Sequence, residues 1–158
     1  MATRTSSLLE LMPVEAMSVG VEAADWRAAI VAAGRGLVAA GSTREGYTTA
    51  MIETVERFGP YIVVAPGLAL AHARPSEAVL KTGLSWVSLA EPVGFGHEAN
   101  DPVRVVIALA AVDHSAHQEA LAGIARLASD SKTFDALTAA TSVAEVRNLI
   151  QEFERNNA

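Results

Sequence analysis

The chain has 158 residues, 51% of them apolar and 19% charged, with no cysteine. That length suits one domain, and the composition excludes a disordered chain; the missing cysteine excludes disulfides, thiol nucleophiles and cysteine-ligated zinc or iron–sulfur centres. A formal charge of −6 argues against non-specific nucleic-acid binding, which needs a basic face, and favours a basic protein partner through electrostatic steering.

In chain order, Ser6 to Met12 reads as a short helix and Met17 to Val21 as a short strand. Asp25 is the expected N-cap of a helix from Trp26 to Ala40 that Gly41 stops, with Gly34 and Gly36 weakening its middle. Ser42 or Thr43 opens a second helix to Phe58, ended by Gly59-Pro60. Tyr61 to Val64 is β-branched and aromatic, as strands favour, and Pro66-Gly67 suits the two central positions of a type II turn. Leu68 to His72 then runs back as a strand. Gly83 to Leu89 and Arg104 to Val112 are two more strands. The second is almost wholly apolar, as burial on both faces requires. Its run Val105 to Val112 is the longest apolar stretch, far short of the ~20 residues of a membrane span.

Ser115 and Gln118 have the spacing of a capping box, with Ser115 as N-cap; Leu121, Ile124, Leu127 and Ala128 then share a helix face. Ser131 to Ala140 is another helix, and Thr141 or Ser142 opens the last one, through Phe153. Helices before and after a set of strands predict a layered α/β domain with helices on both faces of a sheet. Met1 to Glu10 shows no secretory signal, so a cytoplasmic location is expected.

Chemistry without cysteine falls to histidines, carboxylates and hydroxyls. His72 ends a strand in which Leu68, Leu70 and His72 share a face. Pro75 biases Arg74 towards an extended backbone, which puts it on the face of His72, about 7 Å further on (two residues at roughly 3.3 Å each). A neutral imidazole nitrogen is a nucleophile, and a guanidinium suits phosphoryl oxygens. The plainer alternative is a structural histidine beside a surface arginine. His117 belongs to the first turn and apolar face of its helix, at the carboxyl end of a buried strand. Free N–H groups and partial positive charge make that end an anion site, and ligands bind at that edge of open α/β sheets. A buried histidine bonded to backbone is the alternative. His114, His117 and Asp113 are close enough in sequence for a metal site, but Ser115 as N-cap puts His114 outside the helix. His97, in a Gly-flanked loop, reads as a surface histidine. The phosphate-binding and nucleophile-elbow patterns G-x-x-x-x-G-K-[ST], G-x-G-x-x-G and G-x-S-x-G do not occur.

Phe58 to Pro75 reads F-G-P-Y-I-V-V-A-P-G-L-A-L-A-H-A-R-P. It resembles the phosphorylation-site motif of the IIA components of the bacterial phosphotransferase system, fructose–mannitol superfamily, and most of all the ascorbate-type branch, which carries the same F-G-P-Y opening and H-x-R-P. Glu91 to Val103 is similar to the family's middle loop, and Ala110 to Glu119 to its second-histidine motif. The resemblance spans about Leu8 to Ile150. It implies a three-layer α/β/α sandwich around a mixed, roughly five-stranded sheet. It also implies that His72 is the phosphoacceptor, charged by the carrier HPr and discharged to a cysteine of a separate IIB component that works with a membrane IIC. His117 matches the second active-site histidine. Arg74 supports the phosphoryl group, and Arg57 lies at a spacing compatible with the upstream arginine that reaches it in mannitol-type members, an arginine that is not a clear feature of the ascorbate-type branch. Ala71 departs from the proline that usually precedes the phosphorylated histidine. No cofactor or metal is implied. A docking surface is expected around His72, apolar in the middle with an acidic rim.

Two other functions are compatible with these residues: a regulatory module whose phosphorylation on His72 tunes binding to a protein target, and a metal-dependent enzyme using His97, His114 and His117. The sequence leaves the sugar and the oligomeric state open, a homodimer being one option.

Overall fold

In the computed structural model, which describes residues 7–157, five segments are strands: β1 (Met17–Val21), β2 (Val63–Ala65), β3 (Leu68–His72), β4 (Gly83–Val93) and β5 (Val103–Ala110). The helices are α1 (Leu8–Leu11), α2 (Trp26–Ala39), α3 (Glu45–Phe58), α4 (His114–Ser129), α5 (Ser131–Ala139) and α6 (Val143–Asn156), with a 3-10 turn at Val14–Ala16. The strands form one sheet in the order β1-β4-β5-β3-β2. β1 runs parallel to β4 and β3 parallel to β5, whereas β4–β5 and β2–β3 are antiparallel.

Alternation along the strands sends side chains to opposite faces. Leu68, Leu70, Leu84, Trp86, Val105, Ile107 and Leu109 pack with Ile124, Leu127, Leu137 and Ile150 of the helices α4, α5 and α6. Ala69, Ala71, Val87, Val106 and Ala108 pack with Ile30, Leu37, Met51 and Val55 of α2 and α3. The result is the expected α/β/α sandwich with a mixed five-stranded sheet.

Most local signals act as read. Asp25 accepts the Ala28 N–H at 2.9 Å and starts α2. Gly59, with φ +87°, ends α3, and Gly67, with φ +79°, takes the left-handed position that a type II turn after Pro66 demands. Gly36, a weak helix former, has a packing role: a Cβ there lies 2.7 Å from the Ala16 carbonyl oxygen and 2.9 Å from the Ser85 Cβ, so only glycine lets α2 seat this close to β4.

Several boundaries move. Ser6 lies outside the described residues, and Ser7 caps α1 by accepting from the Leu9 N–H. Ser42 and Thr43 do not open α3; Arg44 is its N-cap. The Ser42 carbonyl accepts the N–H groups of Leu80 and Lys81, and Thr43 bridges to Val79, so tertiary bonding claims both residues. β2 starts at Val63 because Tyr61 and Ile62 form a turn closed by the Val63 N–H on the Pro60 carbonyl. β4 runs four residues beyond Leu89, to Val93, and β5 stops at Ala110 instead of Val112. Asp113, not Ser115, caps α4. Among the described residues no helix is long and apolar enough to cross a membrane.

Candidate functional site

β3 and β5 pair in parallel from Leu68↔Val105 to His72↔Leu109, so their carboxyl ends meet at one sheet edge, where open α/β sheets bind ligands. β3 ends at His72. β5 continues past Ala110 into α4, whose start is fixed by the Asp113 carboxylate accepting the Ala116 N–H at 2.8 Å. This connection sets the first turn of α4 beside His72. The His72 and His117 rings have centroids 5.8 Å apart and planes inclined by 60°.

His72 Nδ1 lies 2.9 Å from the Leu70 carbonyl oxygen. A carbonyl only accepts, so Nδ1 holds the proton in the neutral ring and Nε2 holds the lone pair. Tyr61 stands edge-on to the same ring at 5.8 Å and 89°. The imidazole is therefore half-buried, between an aromatic neighbour and a second imidazole. Burial, then the nearby charge of His72 and that of His114, hold the His117 pKa below the usual imidazole value, which keeps this ring neutral at pH 7.

The other candidates separate clearly. Arg74 is exposed just past the end of β3, and no ion pair engages it among the described residues. Arg57 is exposed with its guanidinium 5.3 Å over the Phe58 ring, and no hydrogen bond or ion pair joins it to His72 or His117 among the described residues. His114 is the first residue of α4, inside the helix rather than before it, because the cap is Asp113. His97 serves its loop: its Nδ1 accepts the N–H groups of Ala99 at 3.2 Å and Asn100 at 3.1 Å. Asp101 completes that loop by accepting the N–H groups of Phe95, Gly96 and His97. Among the described residues no three His, Asp or Glu side chains converge as metal ligands.

Two tyrosines at the site were not singled out from sequence. Tyr61 belongs to the F-G-P-Y opening. Tyr47 shares the inward face of α3 with Met51 and Val55, and a tyrosine on a buried face requires a partner for its hydroxyl. That partner is backbone at the end of β3 and in β5. Exposed apolar side chains also gather in the segments around the site: Phe58, Tyr61, Val64 and Val112 are each about half exposed or more.

A histidine with a free Nε2, faced by a neutral second histidine at a helix start on the edge of an α/β/α sandwich, defines a class of small histidine-based carrier proteins. Residues 10–153 match the family described as phosphoenolpyruvate-dependent sugar phosphotransferase system, EIIA 2. The chain is 46% identical over 138 residues to the ascorbate-specific PTS system EIIA component of Salmonella choleraesuis (strain SC-B67), covering 87% of this chain and 88% of that one. Its fold is similar to that of a PTS IIA (PtxA) from Streptococcus mutans, with a TM-score of 0.83 at 30% identity over 94% of this chain and 93% of that one. It is also similar to enzyme IIAMTL from Escherichia coli in complex with phosphorylated enzyme IIBMTL, with a TM-score of 0.79 at 28% identity, covering 90% and 99% of the two chains. The chain belongs to the EIIA type 2 family, and its function is that of a phosphocarrier in a sugar phosphotransferase system.

Proposed function

We propose that this chain is the cytoplasmic EIIA phosphocarrier of an ascorbate-type system, with His72 as the phosphoacceptor and His117 as the residue that binds the transferred group. The observation that carries this reading is the 2.9 Å bond of His72 Nδ1 to the Leu70 carbonyl, which leaves the lone pair on Nε2 of a ring whose centroid lies 5.8 Å from that of His117.

The donor is phosphohistidine on HPr. In an in-line displacement His72 Nε2 forms a bond to phosphorus while the donor's P–N bond breaks, its electron pair returning to the donor ring. No proton moves: the proton stays on His72 Nδ1, donated to the Leu70 carbonyl oxygen, whose lone pair stabilises the positive charge the ring acquires. Little covalent work falls to the protein, so positioning and charge stabilisation dominate. Neutral His117 offers one N–H to a phosphoryl oxygen, the first N–H groups of α4 offer more, and the unpaired Arg74 supplies a cation at the rim. Phosphohistidine so held needs no metal. The next acceptor is a cysteine of a separate EIIB; that component works with a membrane EIIC, which selects the sugar. The exposed apolar side chains Phe58, Tyr61, Val64 and Val112, in the segments flanking His72 and α4, are the surface assigned to docking of both partners in turn.

The test is incubation with phosphoenolpyruvate, enzyme I and HPr, followed by mass spectrometry. The expected result is an acid-labile mass increase of one phosphoryl group that is lost in His72→Ala. No adduct on the wild type, or an unchanged adduct in the variant, refutes the assignment.

A further inference from the structure

We infer that Tyr47 is a positioning residue for phosphoryl transfer: its hydroxyl closes the sheet where β3 ends and so holds His72 in register with the strand that leads to His117. This rests on the reading of His72 as phosphoacceptor.

The β3–β5 ladder ends at the pair His72↔Leu109. Beyond it, Ala73 has no strand partner. The Tyr47 hydroxyl, delivered from α3, occupies that point. It accepts the Ala73 N–H at 3.0 Å and lies 2.7 Å from the Leu109 carbonyl oxygen and 3.1 Å from the Ala73 carbonyl oxygen. Its single proton goes to the nearer carbonyl, that of Leu109. One oxygen thus stands in for the missing rung, bonding the residue after His72 to the residue beside it.

The placement is rigid. Tyr47 is 1% exposed, and its ring packs in the layer between α3 and the sheet. Burial raises its pKa above the ordinary tyrosine value, so the hydroxyl stays a donor at neutral pH. Leu109 lies one residue before the end of β5, the strand that feeds α4 and His117. The clasp therefore couples the backbones that carry the two histidines. It also restrains the backbone just after Ala71, where the resemblance leads one to expect the stiffness of a proline. A displacement of about 1 Å in a reacting group can cost up to roughly 100-fold in rate.

The experiment uses the full chain with Tyr47→Phe, charged by phosphoenolpyruvate, enzyme I and a titration of HPr. Because Tyr47 is buried, the docking surface is unchanged. The expected outcome is a KM for phospho-HPr within about twofold of wild type and a kcat lowered by about 10-fold or more, with 15N spectra showing a mixed tautomer of His72. Val55→Ala, also in α3 and buried, is the control for general loss of stability and should keep kcat. An unchanged kcat in Tyr47→Phe, or an equal loss in Val55→Ala, overturns the inference. Amide exchange on the wild type gives a readout that does not depend on the variant folding. The Ala73 amide should exchange as slowly as that of Leu70, and exchange as fast as that of exposed Arg74 refutes the clasp. A wild type that takes no phosphoryl group on His72 refutes the functional reading itself; a competent wild type matched by Tyr47→Phe refutes only this inference.

Discussion

The imidazole of His72, at the end of one strand, faces that of His117, in the first turn of the helix following the neighbouring parallel strand, at 5.8 Å between ring centroids. On the proposed reading, a phosphoryl group on His72 Nε2 enters the space between them, and His117 serves the transferring group more than the resting site. In His117→Ala, His72 should still be phosphorylated, but onward transfer to EIIB should slow by about 100-fold, the usual scale for losing one preorganised donor. Rapid-quench transfer from the phosphorylated variant measures this, and wild-type onward rates would remove His117 from the mechanism.

The lowered pKa of His117 makes stability depend on pH with a definite sign. The unfolded chain takes up this proton near the ordinary value of about 6.5, before the folded protein does. Stability should therefore fall as pH drops through that value towards the lower folded pKa, and be flat above it as far as this group is concerned. Urea midpoints at about pH 7.5 and pH 5.5 test this. His117→Gln should show a smaller decrease on acidification than the wild type; an equal or larger one contradicts the assignment.

Tyr61 packs edge-on against His72 and restricts where that ring can turn. Tyr61→Phe keeps the aromatic edge and should accept phosphate at close to the wild-type rate. Tyr61→Ala removes it, and an aromatic pair is worth about 0.5–1.5 kcal/mol, so acceptance should slow roughly 2- to 10-fold. If the two variants behave alike, the ring contact has no part in orienting His72.

The cap of α4 offers a paired comparison. Asp113 accepts the Ala116 N–H, whereas Ser115 lies within the helix and is exposed. Asp113→Ala should cost about 1 kcal/mol of stability, and Ser115→Ala should leave it within about 0.5 kcal/mol. Chemical denaturation of the two variants decides between the caps.

That comparison also shows how far local pattern reaches. Ser115 with Gln118 satisfies the spacing of a capping box, yet so short a link leads from β5 into α4 that the helix begins one residue after Asp113. Ser42 and Thr43 have good N-cap side chains and still fail to cap α3, because the segment after the site bonds to them. Gly36 lowers helix propensity, and its value lies in contacts with Ala16 and Ser85 that are distant in sequence. By contrast Met17–Val21 and Leu68–His72 are strands with the bounds read from sequence, since alternation and flanking turns are properties of neighbouring residues.

By itself the sequence determined the kinds of element, a sandwich with helices on both faces, and a histidine at a strand end sharing the face of Leu68 and Leu70. The motif resemblance added the family and the pairing of His72 with His117. Only the tertiary structure decided that β3 and β5 lie side by side, which nitrogen of His72 is free, that Arg57 stacks on Phe58, and that Tyr47 closes the end of the sheet. The physical reason is range. Periodicity and capping are written within a few residues, whereas strand pairing and bonds from side chains to distant backbone depend on which surfaces meet when the chain packs.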